Sequence, residues 1–292
     1  MKILVSCKTT NLDVHGEFIR KKISNGLLPQ EHLERLEKDH AQHHICLDKI
    51  LNLFHKKGIV TIEVGRGLYW PNLADIDAVV TIGGDGTVLE ASHHIVDQDL
   101  PIMGIRSSPM SVGYLCASGI EDLEEKVESL CMGSANTKKV SRLQALVKFT
   151  DTGGEVLTDP ILNDFLYANC NPAETTSYRI SLGDQRERHK SSGIWIATAA
   201  GSTAAINAAG GVRQKIDESL FQFYVREPYT PPDKPSYDIK SGMFDPEKNY
   251  ILIENFSENA VLALDGQHGH VSLGFGDTIS FRRAMDLCLI QP

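Results

Sequence analysis

The segment Thr81-Ile82-Gly83-Gly84-Asp85-Gly86-Thr87 constrains this chain more than any other. It follows a run from Asp77 to Val80 that reads as a buried strand, and it precedes Val88 to Val96, which can form a helix. A strand therefore stops at three glycines and one carboxylate, and a helix starts. Glycines let backbone N–H groups come close to a ligand. The helix N-terminus adds partial positive charge, which suits a phosphate. A carboxylate inside such a cradle repels phosphate unless it has a chemical task, and the task available is to take a proton from an attacking hydroxyl. The competing reading is a tight strand-to-helix turn with Asp85 as the N-cap.

The rest of the chain favours two domains. Its 292 residues are 41% hydrophobic, enough for a sizeable core. The balance of 29 Lys+Arg against 38 Asp+Glu gives a net charge of −9, with no basic block, so no nucleic-acid partner is expected. The six cysteines (Cys7, Cys46, Cys116, Cys131, Cys170 and Cys288) are scattered without a C-x-x-C, which fits reduced thiols in the cytoplasm. Met1 to Cys7 reads as a first strand, not a signal peptide. No apolar run approaches about 18 residues, so no membrane span is expected.

In chain order, strands are expected at Ile3–Ser6, Ile59–Val64, Val79–Ile82 and Pro101–Ile105. Between them lie a weak helical patch at Phe18–Ile23 and a long helix from Gln30 to Lys57. The apolar stripe of that helix is Leu33, Leu36, Leu47, Ile50 and Phe54, and His40 and His43 fall on it. Two histidines at that spacing would allow a metal pair, but no third ligand is in sight, so a packed surface is expected and no protein-held metal. An acidic amphipathic helix spans Ile120 to Leu130. After Gly133-Ser134 helical spacing gives way to β-rich runs at 143–149, 155–157, 165–168, 178–182, 250–253, 261–264 and 278–281. Strands separated by helices argue for an open, mostly parallel sheet, whose ligands bind at the carboxyl ends of the strands. The domain boundary is placed near Asn136, giving an α/β domain over 1–136 and a β-rich domain over 137–292 whose tail can return to the first.

A second glycine-rich stretch runs from Gly193 through Thr198, Gly201, Ser202 and Thr203 into a small-residue helix, Ala204 to Ala209, closed by Gly210-Gly211. Small side chains here admit either a flat ligand or another backbone. Neither G-x-x-x-x-G-K-[ST] nor a helix-opening G-x-G-x-x-G occurs, which excludes a P-loop and leaves an ordinary Rossmann site unsupported.

Four stretches in order resemble the NAD kinases, which transfer phosphate from ATP to the adenosine ribose 2′-hydroxyl of NAD. They are Gly83-Gly84-Asp85-Gly86-Thr87; the pair Asn163-Asp164; Ala197-Thr198 through Gly201-Ser202-Thr203-Ala204; and Leu264-Asp265-Gly266-Gln267. The resemblance covers Leu4 to the C-terminus. GGDG alone is shared with lipid kinases and phosphofructokinases; the set of four is far more specific. Departures from the family pattern lie at Gly104–Leu115, at Ser192, where many bacterial members carry Asp, and at Ala205, where a tyrosine is frequent. With Ser92-His93-His94 and Val225-Arg226-Glu227-Pro228, these resemble the mitochondrial and plant NADH-kinase branch.

The resemblance implies the two-domain plan shared with diacylglycerol kinases. It makes Asp85 the general base, with Gly83, Gly84, Gly86, Thr87 and Arg106 at the ATP phosphates. The implied dinucleotide contacts are Asp85, Gly86, Tyr114, Leu115, Asn163, Asp164, Ser192, Thr198, Ser202, Thr203, Ala205 and Asp265. Mg²⁺ is expected with the ATP, NAD or NADH as acceptor, and a homodimer or homotetramer as the assembly. His268 and His270 alternate on a possible strand without an accompanying carboxylate, so no metal is expected there. Two alternatives stay open. One is a lipid kinase of the diacylglycerol or sphingoid type, although Gln267 stands where those families usually show glutamate. The other is a non-catalytic NADP(H) sensor, which would have no need of Asp85.

Overall fold

The apolar run Ile3-Leu4-Val5 is fully buried and forms the core of β1 (Lys2–Cys7). The chain continues through α1 (Asn11–Ser24), α2 (Gln30–Lys56), β2 (Val60–Gly65), β3 (Ala78–Gly83), α3 (Asp85–His94), β4 (Ile102–Arg106), β5 (Cys116–Ser118) and α4 (Leu123–Cys131). This computed structural model describes residues 1–65, 67–96, 99–109, 112–232 and 236–291. The chain forms two compact units, one of residues 1–138 with the C-terminal stretch from Leu287, the other of residues 139–286.

In the first unit the strands pair in parallel, in the order β4-β3-β1-β2, with β5 beside β4. Every residue of β3 is buried, as a strand covered on both faces must be. Cys46, Ile50 and Phe54 of α2 and Leu123, Val127 and Leu130 of α4 share one core with Val80, Ile82 and Ile105 of the sheet. The registers Cys7↔Ile82 and Gly83↔Arg106 bring the carboxyl ends of β1, β3 and β4 level with one another.

Two helices start earlier than the sequence suggested. Helix α1 begins at Asn11, well before the patch at Phe18, because Thr10 caps it reciprocally with Asp13. Helix α3 begins at Asp85, so Gly84 is the N-cap and Asp85 is the first helical residue, which corrects the reading of Asp85 as a cap.

The second unit is antiparallel. Its strands are β6 (Thr137–Lys148, from Lys139 on), β7 (Glu155–Leu157), β8 (Asp164–Asn169), β9 (Thr176–Leu182), β10 (Gln185–Ser191), β11 (Ile194–Ala197), β12 (Phe221–Val225), β13 (Ser241–Phe244), β14 (Ile251–Asn255), β15 (Ala260–Leu264), β16 (Gly269–Leu273) and β17 (Thr278–Ile290, as far as Asp286). One layer runs β13-β12-β11-β8-β15-β16, the other β10-β9-β14-β17. Phe165, Tyr167, Ile196 and Phe223 of the first layer and Tyr178, Ile180, Ile253 and Phe281 of the second fill a common core. Three strands of this unit escaped the sequence reading, among them the short β13. Strand β10, QRERHKS, has a polar edge-strand sequence with only His189 and Ser191 buried. Strand β12, FQFYV, is nearly all apolar and lacks the alternation that marks a half-buried strand. The small-residue segment is a 3₁₀ turn (Ala200–Thr203) followed by the short helix α5 (Ala205–Ala209). Among the described residues, no helix is long and apolar enough to cross a membrane.

Candidate active site

The glycine turn sits at the carboxyl end of β3. A Cβ on Gly83 would stand 2.9 Å from Thr87 Cβ and 3.1 Å from Lys8 Cβ, closer than carbon atoms pack, so this position has no room for a side chain. Thr87, buried, accepts the Gly84 N–H on its hydroxyl at 3.4 Å and tightens the turn from within. Gly86 is exposed, with no atom within 4 Å of where a Cβ would stand, so a ligand can reach the backbone there. The N–H groups of Thr87 and Val88 already donate to the Gly84 carbonyl, at 2.9 and 3.3 Å, so the helix start offers an anion the N–H groups that precede them.

Asp85 is half-buried, and its Oδ1 accepts the Leu115 N–H at 2.7 Å. That bond fixes the carboxylate plane and leaves Oδ2 for another partner. Leu115 thus acts through its backbone, while its side chain is buried at 3% exposure. Tyr114, at 39% exposure, projects from the same loop. Met110 and Ser111, within the Gly104–Leu115 departure, lie outside the described residues. Burial first, then the negative charge of Asp85, pushes the Cys116 thiol up to about 12, so Cys116 stays protonated and offers no competing nucleophile. Arg106, at the end of β4, lines an open cleft of about 180 Å³ with Gln42, Ser107 and Glu121.

The sequence did not single out the supports of this turn. Ser107 donates its N–H to the Gly83 carbonyl at 2.9 Å, and its hydroxyl meets His43 Nδ1 at 2.9 Å. His43 is 1% exposed; burial, aided by the charges of Lys8 and His44, lowers it to about 4, so it is a neutral packing residue. Lys8 follows β1 and pairs with Asp39 at 3.0 Å. Burial works to raise the Asp39 carboxyl, but the Ser108 hydroxyl and the Lys8 ammonium outweigh it and hold it below its ordinary value. The signal available in the sequence was position: Lys8 stands just past the first strand, where ligands of parallel sheets bind.

The second unit gathers the remaining motifs around the Asn163-Asp164 turn. Asp265, at a left-handed φ of 43°, accepts the N–H groups of Asn163 and Asp164 on Oδ1 at 2.8 and 2.9 Å and that of Leu162 on Oδ2 at 2.8 Å. Both oxygens are committed to the backbone, which makes Asp265 the residue that positions this turn. Thr198 does similar work: it is fully buried, donates its hydroxyl to the Leu162 carbonyl and accepts the Gly201 N–H at 3.1 Å. A Cβ on Gly201 would stand 2.5 Å from the Asn163 carbonyl carbon, so here the small-residue stretch serves the close approach of two backbones. Ser202 is fully buried and accepts the Gln214 N–H at 2.9 Å. Thr203 and Asn163 are half-buried and Ala205 is exposed, so these three remain accessible. Ser192 is half-buried on the turn before β11, with Arg226 Nη1 donating to its carbonyl at 3.3 Å.

Asp164 is 5% exposed, and burial, reinforced by the charge of Asp265, raises its carboxyl to about 7. Folding therefore takes up a proton between the ordinary carboxyl value of 3.8 and about 7. Stability from this group is full at low pH, falls as pH rises through that window, and levels off above it. Urea unfolding at about pH 5 and about pH 8 should show this fall in the wild type and lose most of it in Asp164→Asn. An unchanged pH slope in the variant would remove Asp164 as its source.

Two histidine expectations need correction. His40 does not pair with His43; it meets His44 and Asp13, so the missing third group comes from α1. His268 does have a carboxylate beside it, Asp159 at 3.5 Å, while His270 is exposed on β16.

Residues 71–135 match the sequence model of the ATP-NAD kinase N-terminal domain. A NADH kinase of Arabidopsis thaliana is 31% identical over 266 residues, covering 85% of this chain and 82% of the relative. A probable NADH kinase of Oryza sativa subsp. japonica is 30% identical over 254 residues, covering 78% and 74%. Among solved structures, yeast NADH kinase complexed with NADH shares the fold at a TM-score of 0.74 and 16% identity, covering all of this chain and 84% of that one. An NAD kinase from Archaeoglobus fulgidus in complex with ATP does so at 0.67 and 18% identity, covering all of this chain and 94% of that one.

Proposed function

Because the chain belongs to the NAD kinase family, we propose that it transfers the γ-phosphoryl group of ATP to the adenosine ribose 2′-hydroxyl of NAD or NADH. The observation that carries this reading is Asp85, a carboxylate anchored by one backbone N–H at the mouth of an open glycine turn. Its free oxygen takes the hydroxyl proton as the 2′-oxygen bonds to the γ-phosphorus. The bond from that phosphorus to the β-γ bridging oxygen breaks, and ADP leaves with the bonding pair. Such a transfer needs positioning and charge neutralisation more than covalent help, so ATP enters as its Mg²⁺ complex. Gly83, Gly84, Gly86 and Thr87 shape the phosphate site, with Arg106 as a phosphate partner. Tyr114 in the first unit and Asn163, Thr203 and Ala205 in the second offer accessible groups to the dinucleotide; Leu115 orients Asp85, Thr198 and Asp265 position the turn that carries the buried Asp164, and Ser202 anchors Gln214. A coupled assay offering NAD, NADH and a lipid panel with Mg-ATP tests the reading, and turnover of a lipid alone would overturn it. The lipid-kinase and sensor alternatives are not favoured, because the relatives matched over most of the chain are named NADH kinases.

Reduced dinucleotide is expected to be accepted at least as well as oxidised, because Ser192 offers no charge to the nicotinamide ring. A carboxylate there would attract the oxidised ring by about 4 kcal/mol at roughly 4 Å and an effective dielectric near 20, before a desolvation cost that removes much of it. Ser192→Asp should move kcat/KM toward NAD, by a modest factor because Arg226 stands beside the new carboxylate. A wild-type preference for NAD of about tenfold, or no shift in the variant, would contradict this role for position 192.

The protein is proposed to work as a homodimer or homotetramer, the closed symmetric assemblies commonest among soluble homo-oligomers. Light scattering should give a mass that is a multiple of 32.2 kDa, and a particle of one chain at micromolar protein would end this part of the reading. The six cysteines are scattered along the sequence without a C-x-x-C, which supports a reducing compartment such as the cytoplasm.

A further inference from the structure

Helices α1 and α2 form a hairpin whose apolar contact is Ile19 against Leu33 and Leu36. At the end of that hairpin nearest β1, Asp13 of α1 faces His40 and His44 of α2. The two histidines are one helical turn apart, so both imidazoles project on the same side. Asp13 Oδ1 stands 3.5 Å from His40 Nδ1 and 3.6 Å from His44 Nε2, and the three groups offer ligand atoms all within 4.8 Å of one another.

These separations are too long for hydrogen bonds and have the right size for something else. Metal–ligand bonds of 2.0–2.2 Å in a tetrahedron place the ligand atoms roughly 3.3–3.6 Å apart. We propose that Asp13, His40 and His44 form a binding site for one zinc-type divalent cation, which pins the start of α1 to the middle of α2. Two imidazole nitrogens with one carboxylate oxygen suit Zn²⁺ and its late first-row neighbours, whereas Mg²⁺ and Ca²⁺ prefer oxygen throughout. Water completes the coordination.

Three further observations point to a ligand. His44 Nε2 is closed off from solvent and has no hydrogen-bond partner among the described residues, an arrangement a buried ring nitrogen avoids. The Asp13 carboxylate is already oriented: Thr10 donates both its N–H and its hydroxyl to Oδ2 at 2.7 Å each, which leaves Oδ1 toward the histidines. That is the outer-shell support a metal carboxylate needs. The hydroxyl of Thr10 also meets His40 Nδ1 at 2.7 Å, holding that nitrogen beside the carboxylate. Coordination through Nδ1 requires the neutral imidazole tautomer with its single proton on Nε2, so the proton that Nδ1 shares with Thr10 passes to solvent and Nε2 takes one up from it. Burial works to raise the Asp13 carboxyl, yet the Thr10 hydrogen bonds and the two nearby histidines hold it below its ordinary value, ready as an anionic ligand.

The test is titration of the tag-free full-length protein with Zn²⁺ alone, by calorimetry after chelator treatment, alongside thermal unfolding. The wild type should bind one Zn²⁺ per chain and melt at a higher temperature with it. His44→Gln and Asp13→Asn should each weaken binding by at least roughly tenfold and abolish the thermal shift. His55→Ala, an exposed histidine farther along α2, should change neither. Both altered groups are at least partly exposed, so the variants should fold, which far-ultraviolet circular dichroism checks. Absence of binding by the folded wild type at micromolar protein, or binding unchanged in either folded variant, overturns the site.

Discussion

Replacing Asp85 with Asn is expected to lower turnover by roughly 10²–10⁴ while dinucleotide affinity stays within a few-fold of the wild type. The asymmetry comes from how the side chain is held. Oδ1 accepts the Leu115 N–H, and an amide oxygen can do the same at the same 2.7 Å, so the turn keeps its shape. The other carboxylate oxygen becomes an NH₂ group that cannot take a proton from a ribose hydroxyl. Turnover measured under saturating Mg-ATP and affinity measured by calorimetry separate the two effects. Near-normal turnover would remove Asp85 as the base. Lost affinity with lost turnover would instead make it a binding residue.

Asp265→Ala should unfold the second unit at markedly lower urea, with a loss on the order of 3–6 kcal/mol. Three backbone N–H groups give up their acceptor; those of Leu162 and Asp164 are buried and cost about 1–3 kcal/mol each, while that of Asn163 is part-buried and costs less. The left-handed φ of 43° adds a further penalty for alanine. A smaller opposing gain comes from removing the charge that crowds Asp164. Dinucleotide binding should fall more than stability alone explains, because the Asn163-Asp164 turn loses its frame. A loss below about 1 kcal/mol would mean that water or a neighbouring group replaces the carboxylate at little cost.

What the sequence disclosed and what it hid divide along one line. The glycine turn was legible because its chemistry is local: three glycines, one acid, and a strand and helix on either side. The alternation of helices and strands in the first unit was legible for the same reason, since Val80 and Ile82 of β3 and Ile50 and Phe54 of α2 are buried by periodicity alone. Contacts made across the chain were hidden. Asp13 lies 27 residues before His40 in sequence, so the helix stripe could show two histidines and no third group. Lys8 and Asp39 are 31 residues apart in sequence and meet just past the carboxyl end of β1. The resemblance implied dinucleotide contacts at Thr198 and Ser202, yet their hydroxyls face inward to backbone partners in the close contact that Gly201 permits. Strand β10 was missed because it is a polar edge strand, held by its antiparallel register with β9 instead of by apolar burial.

The most direct measurement of the central claim follows the label from Mg-[γ-³²P]ATP in the presence of NAD or NADH and locates it in the product. The account predicts label on the adenosine ribose 2′-oxygen of the dinucleotide, formed by the wild type and reduced by about two to four orders of magnitude in Asp85→Asn. Label found only as free phosphate or on a lipid alcohol, or on the dinucleotide at undiminished rate in the variant, would contradict it.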